Sequence, residues 1–475
     1  LWGSHVLPLF DIDSPSLDFR PNLVSTPFKA AMDRISMRII GAGEDIYEDD
    51  HAFWGGEELR RAVGVVNMAG VDLNCEAEAV LLDGAGMVTA RTAVPVVVSA
   101  YGNAQVPFAL QTPMVSSRRD YTLKIVLKKR DGGEIVKNAA QQITLFPAAR
   151  PAVAAIGVFG GTAEFLDSLA KLGYDVKTVD ALSADAIDAS RVLVIAPGAL
   201  SQCAEVPDFS DLAEKHGIRT LVMEQLDNAS PELIKSRSRQ VFINAPSHPI
   251  LDGLQDSDFA EWRGSHSLLP AYGNAEPGHV WSNAQWTDWG NRGMVAGNVF
   301  RRPYCGSFLS LLVSGFDLYQ TPLLEYRGKR AGWIGSQLEI GSRLGLDPVA
   351  TTLFDRMVDY LATRGGAFGQ VGFIGGDNGR ALLERYGVEY APVELSDPLD
   401  HLRLLIVSDP DWEMLTAAAL KLSDYVYNGG RILYLHTSEK WYGSWLPFLL
   451  QMGTVKDAEK AVRTCDGTGA WLEGW

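Results

Sequence analysis

Hydrophobic and polar positions follow two different periods along this chain. Between residues 46 and 147 they alternate within short segments: RRAVGVVNMAG, CEAEAVLLDGAG, TARTAVPVVVSAYGN, AQVPFALQTP, DYTLKIVLKKRDGG and EIVKNAAQQITLF. Turn residues separate these segments at intervals of about ten, which predicts an all-β sandwich of about seven strands. LKIVLKKRDGGEIVKNAAQQITLF reads as its final hairpin, turning at Asp131-Gly132-Gly133. Residues 1–45 show little regular pattern and are read as a connector. Within them TPFKAAMDRISMRI is a short helix, or a helix followed by a strand.

After the proline-containing linker PAARPAV the period changes. AAIGVFGG is a buried strand ending in Gly160-Gly161, and TAEFLDSLAKLG is an amphipathic helix closed by Gly173. YDVKTVD, RVLVIAPGA and IRTLVMEQ are three further strands. Strands alternating with helices of this length predict a doubly wound parallel sheet over residues 152–365. PLLEYRGKRAGWIGSQLEI reads as a hairpin turning at Arg327-Gly328-Lys329, and DPVATTLFDRMVDYLATRGG as a closing helix.

The same order then begins again over residues 369–450. QVGFIGGDNGRALLERYGVEYAPVE matches AAIGVFGGTAEFLDSLAKLGYDVKTVD, HLRLLIVSDPD matches ASRVLVIAPGA, and GGRILYLHTSE matches HGIRTLVMEQL. Arg219 aligns with Arg431, and Glu224 with His436. This is an internal duplication of one α/β unit, with the second copy incomplete. Residues 451–475 have no counterpart and are read as a tail or the start of a further domain.

Composition narrows the partners. The 475 residues are 47% hydrophobic and 21% charged, with a formal net charge of −16. An acidic surface argues against nucleic acid and against anionic membrane as partners. No run reaches the roughly 18 continuous apolar residues of a membrane span. The chain opens on LWGSHVLPLFDIDSP, with neither Met nor a signal-peptide pattern, and is read as part of a longer or processed polypeptide. Cys75, Cys203, Cys305 and Cys465 are widely spaced without a CxxC, so separate thiols are expected rather than a disulfide scaffold.

Each candidate site has a plainer alternative. The Gly-Gly pairs at 160–161 and 375–376 occupy the place of a phosphate loop. They lack the GxGxxG spacing and a Walker Lys-Ser/Thr, so a tight strand-to-helix turn is the better reading and no cofactor is expected. The elbow after IRTLVMEQ is where amidotransferases of this topology carry a cysteine, followed downstream by His and Glu or Asp. Here it holds Glu224, with His436 in the second copy. Neither replaces a thiolate, and one carboxylate does not make a glycosidase pair. Glu224 is therefore expected to be structural, tying the turn to neighbouring amides. Trp262, Trp281, Trp286 and Trp289 are candidate sugar-stacking residues, or else plug the surface of their own domain. His248, His266 and His279 have no metal-ligand spacing, so no metal site is expected.

Taken together, several segments carry a resemblance. DIYEDDHAFWGGEELRRAVGVVNMAG resembles the start of the immunoglobulin-like domain that follows the catalytic barrel in large bacterial glycoside hydrolases of family 2, with Gly56-Glu57 and Val66-Asn67 matching and Met68 in place of the usual Asp. LVMEQ, SHPILDGLQDSDFAEWRG, PLLEYRGKRAGWIGSQLEI and DPVATTLFDRMVDYLA resemble the amidotransferase-like domains found after that sandwich. A similar catalytically dead domain serves trimer assembly in family 42 β-galactosidases. The resemblance spans roughly residues 46–450 and rests on domain order rather than on one diagnostic motif.

It implies an immunoglobulin-like sandwich followed by two flavodoxin-like, class I glutamine amidotransferase-like doubly wound domains, the second incomplete. Catalysis in that clan depends on an Asn-Glu pair at the end of a barrel strand, and no Asn-Glu dipeptide occurs here. No catalytic residue is therefore assigned. The expectation is a non-catalytic scaffold or oligomerisation region of an exo-β-glycosidase of the β-galactosidase type, with its barrel upstream of Leu1. The partners implied are that barrel, further copies of the chain, and carbohydrate. A periplasmic or extracellular address is favoured over the cytoplasm. The alternative is a stand-alone carbohydrate-binding or adaptor protein using the tryptophans of segment 262–289.

Overall fold

Cys75, Ala77, Ala79 and Leu81 are buried while the residues between them are not, and the same alternation runs through Tyr121, Leu123, Ile125 and Leu127. Such a period turns one face of each strand inward. In the computed structural model the described residues are 10–13, 18–21, 33–43, 48–148, 155–230, 232–269, 293–303, 307–328, 330–363, 370–399, 402–408, 412–427 and 430–435. They belong to two units, Leu1–Ala148 and Ala149–Trp475.

In the first unit β1 (Phe10–Asp13) and β2 (Asp18–Pro21) form an antiparallel pair. The remaining strands are β3 (Ile35–Ile40), β4 (Ala52–Trp54), β5 (Glu58–Asn67), β6 (Leu73–Leu82), β7 (Val88–Val98), β8 (Asn103–Gln111), β9 (Arg119–Lys129) and β10 (Ile135–Phe146). One sheet has the order β4-β10-β9-β6-β7 and the other β3-β5-β8. Leu59, Val63 and Val65 of β5 and Phe108 and Leu110 of β8 meet the inward residues of β6 and β9 in one core, so the two sheets form a sandwich. The predicted last hairpin is β9–β10, and Gly132 and Gly133 take φ of 91° and 71° at its turn.

Two features go beyond the sequence reading, which left ISMRI open as the end of a helix or as a strand. Ile35–Ile40, within the stretch read as connector, is a sandwich strand paired along its whole length with β5. β4 pairs parallel with the last strand, β10. Polar positions inside the sandwich are partnered. Arg61 is 2% exposed and reaches Asp50 Oδ1 at 2.6 Å. Asn67 donates to the Val71 and Ser99 carbonyls at 2.9 and 3.0 Å and accepts from Ala69 N at 3.0 Å, tying two turns together.

The second unit begins with β11 (Ala155–Phe159), α1 (Ala163–Lys171), β12 (Asp175–Val179), β13 (Val192–Ile195), α2 (Phe209–His216) and β14 (Thr220–Val222). Thr162 caps α1 by accepting from Phe165 N at 3.2 Å, and Asp208 caps α2. Next come β15 (Leu233–Ser238), β16 (Phe242–Ile243), β17 (Ala296–Arg301), β18 (Phe308–Ser314), β19 (Gln320–Arg327), β20 (Gly332–Ser336) and α3 (Pro348–Thr363). β12-β11-β13-β14-β20 run parallel and adjacent, and β19, β17 and β15 continue the sheet antiparallel. The expected hairpin is β19–β20, and the closing helix is α3, whose buried face includes Val349, Leu353, Phe354, Met357 and Leu361.

A second parallel sheet follows: β21 (Gln370–Gly375), α4 (Asp377–Arg385), β22 (Ala391–Pro392), β23 (Leu402–Ser408), α5 (Trp412–Ala417), α6 (Ala419–Tyr427) and β24 (Ile432–Leu435), ordered β22-β21-β23-β24. Its register repeats the first. Gly157 pairs with Lys177 and Leu193, and Leu193 with Thr220. At the aligned positions Gly372 pairs with Ala391 and Leu405, and Leu405 with Ile432. Leu193 N donates to Arg219 O at 2.9 Å, and Leu405 N to Arg431 O at 2.8 Å. The order and register of four strands therefore recur at the aligned positions. The fold class at this level is a multidomain β and α/β protein.

Candidate functional site

The elbow after β14 is sealed. Met223, Glu224 and Gln225 are each at most 1% exposed. The chain beyond them makes a 3-10 turn over Asp227–Ala229 and enters β15, a departure from the strand-then-helix order of β11 with α1 and β13 with α2. Gln225 explains the departure. Its Nε2 donates to the Ala196 and Met223 carbonyls at 2.8 and 2.9 Å, and its Oε1 accepts from Leu200 N at 2.9 Å. Its N–H donates to Gln337 Oε1 at 3.0 Å, and its carbonyl accepts from Asn298 Nδ2 at 2.7 Å. The main chain is thus pinned between β13 and β20 and cannot open into a helix start.

Glu224 turns its carboxyl inward. Oε1 accepts from Gly341 N at 2.7 Å, while Oε2 makes no hydrogen bond of ordinary geometry. A Cβ on Gly341 would stand 3.0 Å from both Glu224 Oε1 and Ser267 Oγ and collide with Pro197, so only glycine allows this approach. Burial and the neighbouring Glu339 carboxyl push the Glu224 pKa up to about 8, against the opposing pull of the Ser267 hydroxyl and the Gly341 amide. Both effects favour the neutral carboxyl over the carboxylate.

Three more buried ionisable groups stand on the segment after β20. Glu339 Oε2 accepts from Ser267 N and Leu268 N at 2.8 and 3.1 Å. Burial raises its pKa, opposed by those amides and by Arg343. Arg343, fully buried, spends its guanidinium on main-chain carbonyls: Arg263 at 2.9 Å, Met294 at 2.8 Å and Glu339 at 2.9 Å. Asp347 accepts from Arg263 N at 2.9 Å and Ala350 N at 2.8 Å, so it caps α3 and holds the same loop. These groups clamp residues 263–268 over the carboxyl ends of the parallel strands. A second network lies at β19, where Glu325 accepts from Arg327 Nε at 2.7 Å and Tyr360 OH at 2.6 Å and lies 3.3 Å from His248 Nε2. Burial would raise the Glu325 pKa, but Arg327, His248 and Tyr360 together hold it at about 2.

The other sequence candidates separate. Trp262 is 2% exposed; its Nε1 donates to Asp258 O at 2.9 Å, and the Arg343 guanidinium lies 5.8 Å from its ring centroid. The stacking role read for it from sequence is not available to a ring packed in this way. Trp281, Trp286, Trp289, His279 and His436 lie outside the described residues. Gly160 and Gly161 take φ of 71° and 100° and form a tight turn into α1, with Ala199 and Ala196 close by. Cys75 and Cys203 are free thiols, and burial raises both pKa values, away from thiolate character. Among the described residues no group of His, Cys, Asp and Glu could hold a metal ion, and no helix is long and apolar enough to cross a membrane.

No family model matches the chain, and no curated protein matches it. Matching solved structures include the CARDB domain of a Pyrococcus furiosus protein in complex with di-metal ions, at 11% identity and TM-score 0.18 over 23% of this chain and 86% of that one. The C-terminal domain of Wzt matches at 14% identity and TM-score 0.19, over 25% of this chain and 75% of that one. The Pseudomonas fluorescens alkylpurine DNA glycosylase AlkC, bound to DNA containing an abasic site analogue, matches at 10% identity and TM-score 0.17, over 24% of this chain and 30% of that one.

Proposed function

We propose that this chain is a non-catalytic accessory region of an exo-β-glycosidase of the β-galactosidase type. In this reading the sandwich is an immunoglobulin-like domain, and the duplicated α/β units are flavodoxin-like domains of the amidotransferase type. The hydrolytic barrel belongs to the preceding part of the same polypeptide. The region buttresses that barrel and assembles copies of the protein.

The observation that carries the non-catalytic reading is the environment of Glu224. A carboxyl that is 1% exposed, pushed toward its neutral form by burial and bound to the Gly341 amide has no path to a substrate. The ionisable groups near it hold loop backbone instead of facing a cleft. The glycosidase assignment rests on the resemblance in domain order, and the repeated register of the two α/β sheets supports the duplicated architecture on which that order depends. The stand-alone sugar-binding reading loses one of its four tryptophans, since Trp262 is packed under Arg343.

The test is enzymatic. The purified chain, given an aryl β-galactoside or glutamine, is expected to turn over neither; turnover of either that disappears in Glu224→Gln overturns the non-catalytic reading. The native polypeptide containing this region is expected to hydrolyse the aryl β-galactoside, and its failure to act on any aryl β-glycoside overturns the glycosidase assignment.

A further inference from the structure

Three buried carboxyls share one guanidinium at the carboxyl ends of the parallel strands. Glu224, Glu339 and Asp347 are each at most 2% exposed, and Arg343 is the enclosed cation that feels all three. The other elements packed here bring little charge. β17 contributes Gly297, where a Cβ would stand 2.7 Å from Glu339 Oε1, and the end of β13 contributes Pro197, which a Cβ on Gly341 would meet. Segment 263–268 closes over the group, and its ionisable residues, Arg263 and His266, are only half-buried.

The donors are divided unequally. Glu339 accepts from Ser267 N and Leu268 N, and Asp347 from Arg263 N and Ala350 N. Glu224 has one amide, Gly341 N, and the Ser267 hydroxyl. One cation cannot neutralise three buried carboxylates, and ionisation is least favourable for the acid with the fewest donors. Glu224 is therefore the last of the three to ionise, and burial and the Glu339 carboxyl push its pKa in that direction. The parts holding the acids also differ in freedom. Met223, Glu224 and Gln225 are sealed within the sheet. Gly264 and Ser265 are exposed, and beyond the cluster this segment is tied by Ser342 N to Ser267 Oγ at 2.9 Å and Ser342 Oγ to Ser265 O at 2.6 Å. A charge appearing on Glu224 beside Glu339 is relieved most readily by lifting the segment, which admits water to both carboxylates without parting any strands.

We infer that Glu224 and Glu339 form an alkali-released latch: while Glu224 keeps its proton, residues 263–268 lie closed on the ends of β14 and β20, and loss of that proton lets the segment lift while the sheet stays folded. The sign is that of an acid held neutral in the closed form, which is favoured at low pH and gives way as pH rises. In open α/β sheets ligands bind at the carboxyl ends of the strands, so the latch sets access to that edge. It rests on the cluster alone and goes beyond the accessory reading.

Hydrogen exchange of the whole chain, read by mass spectrometry from about pH 6 to about pH 9 and divided by the intrinsic exchange rate at each pH, tests this. In the wild type the protection of residues 263–268 is expected to fall by about tenfold or more across that range, while β11 and β13 keep theirs. Glu224→Gln, which cannot ionise, should hold the segment's protection level. Glu339→Gln removes the other charge of the pair and should flatten the profile in the same way; it is the second variant should the first fold poorly. A flat wild-type profile overturns the latch, and so does a profile that falls as steeply in both variants. Protection lost from β11 and β13 in step with the segment would be unfolding of the sheet and overturns it as well.

Discussion

Glu224 Oε1 accepts the main-chain N–H of Gly341 at 2.7 Å, joining the end of β14 to the turn that follows β20. The bond places a carboxyl with a raised pKa between two parallel strands that are neighbours in the sheet. That proton links the stability of the second unit to pH.

The sign follows from the direction of the shift. The folded pKa of Glu224, about 8, lies above the 4.5 of an ordinary glutamate, so the folded state holds a proton that the unfolded state gives up first. The contribution is whole below about 4.5 and is lost as pH rises through about 8. Stability of the wild type is expected to fall between pH 5 and 8 by up to about 1.4 kcal/mol per pH unit from this group. Glu224→Gln keeps the acceptor for Gly341 N and should flatten that slope. Urea unfolding at a series of pH values measures it; an unaltered slope in the variant would show that Glu224 is already ionised.

Glu325 should behave in the opposite sense. Its folded pKa of about 2 lies below the 4.5 of an ordinary glutamate, so its contribution is present above about 4.5 and is lost as pH falls toward 2. Glu325→Gln leaves the largely enclosed Arg327 without its carboxylate and is expected to cost about 3 kcal/mol at pH 7. The difference from wild type should narrow in acid. Denaturation curves at pH 7 and pH 4 are sufficient to see this, and a constant difference would contradict the ion-pair account.

Much of this architecture was legible because its periods are clean. The alternation in β6 and β9 and the Gly-Gly, Leu-Gly and Tyr-Gly punctuation of the two α/β copies mark the elements directly. The departure after Val222 was not legible, because it depends on Gln225 reaching Leu200, Ala196 and Gln337, which follow other strands of the sheet. The antiparallel extension β15-β17-β19 depends on pairings that no local pattern encodes. One signal was available: Glu325 sits inside the apolar run of β19, and a charge there demands buried partners. Glu339, Arg343 and Asp347 fall in EIGSRLGLD, whose polar composition looks like an exposed turn although all three are buried.

Arg343 holds its loop by geometry as well as by charge. Its guanidinium donates to the carbonyls of Arg263, Met294 and Glu339 in different directions, which a planar fork can do and an ammonium cannot. Arg343→Lys is therefore expected to destabilise the second unit by about 2 kcal/mol, and Arg343→Met by about 3–5 kcal/mol, since it also removes the cation facing Glu339 and Asp347. Protease cleavage within residues 263–268 should rise in both variants. A lysine variant as stable and as resistant as wild type would reduce Arg343 to a point charge.

Trp262 separates a structural indole from a sugar platform. With its Nε1 bonded to Asp258 O and its ring beside Arg343, Trp262→Phe should lose one hydrogen bond, about 1 kcal/mol. Trp262→Ala should lose about 3–5 kcal/mol, the usual cost of emptying a tryptophan site in a core. A sugar-stacking residue would give the reverse ordering of effects: affinity for oligosaccharide would fall while stability stayed level. Titration calorimetry with oligosaccharide and denaturant unfolding on the same two variants distinguish these outcomes. The buried ring requires the stability loss, and any affinity for sugar that survives Trp262→Phe must come from another part of the chain.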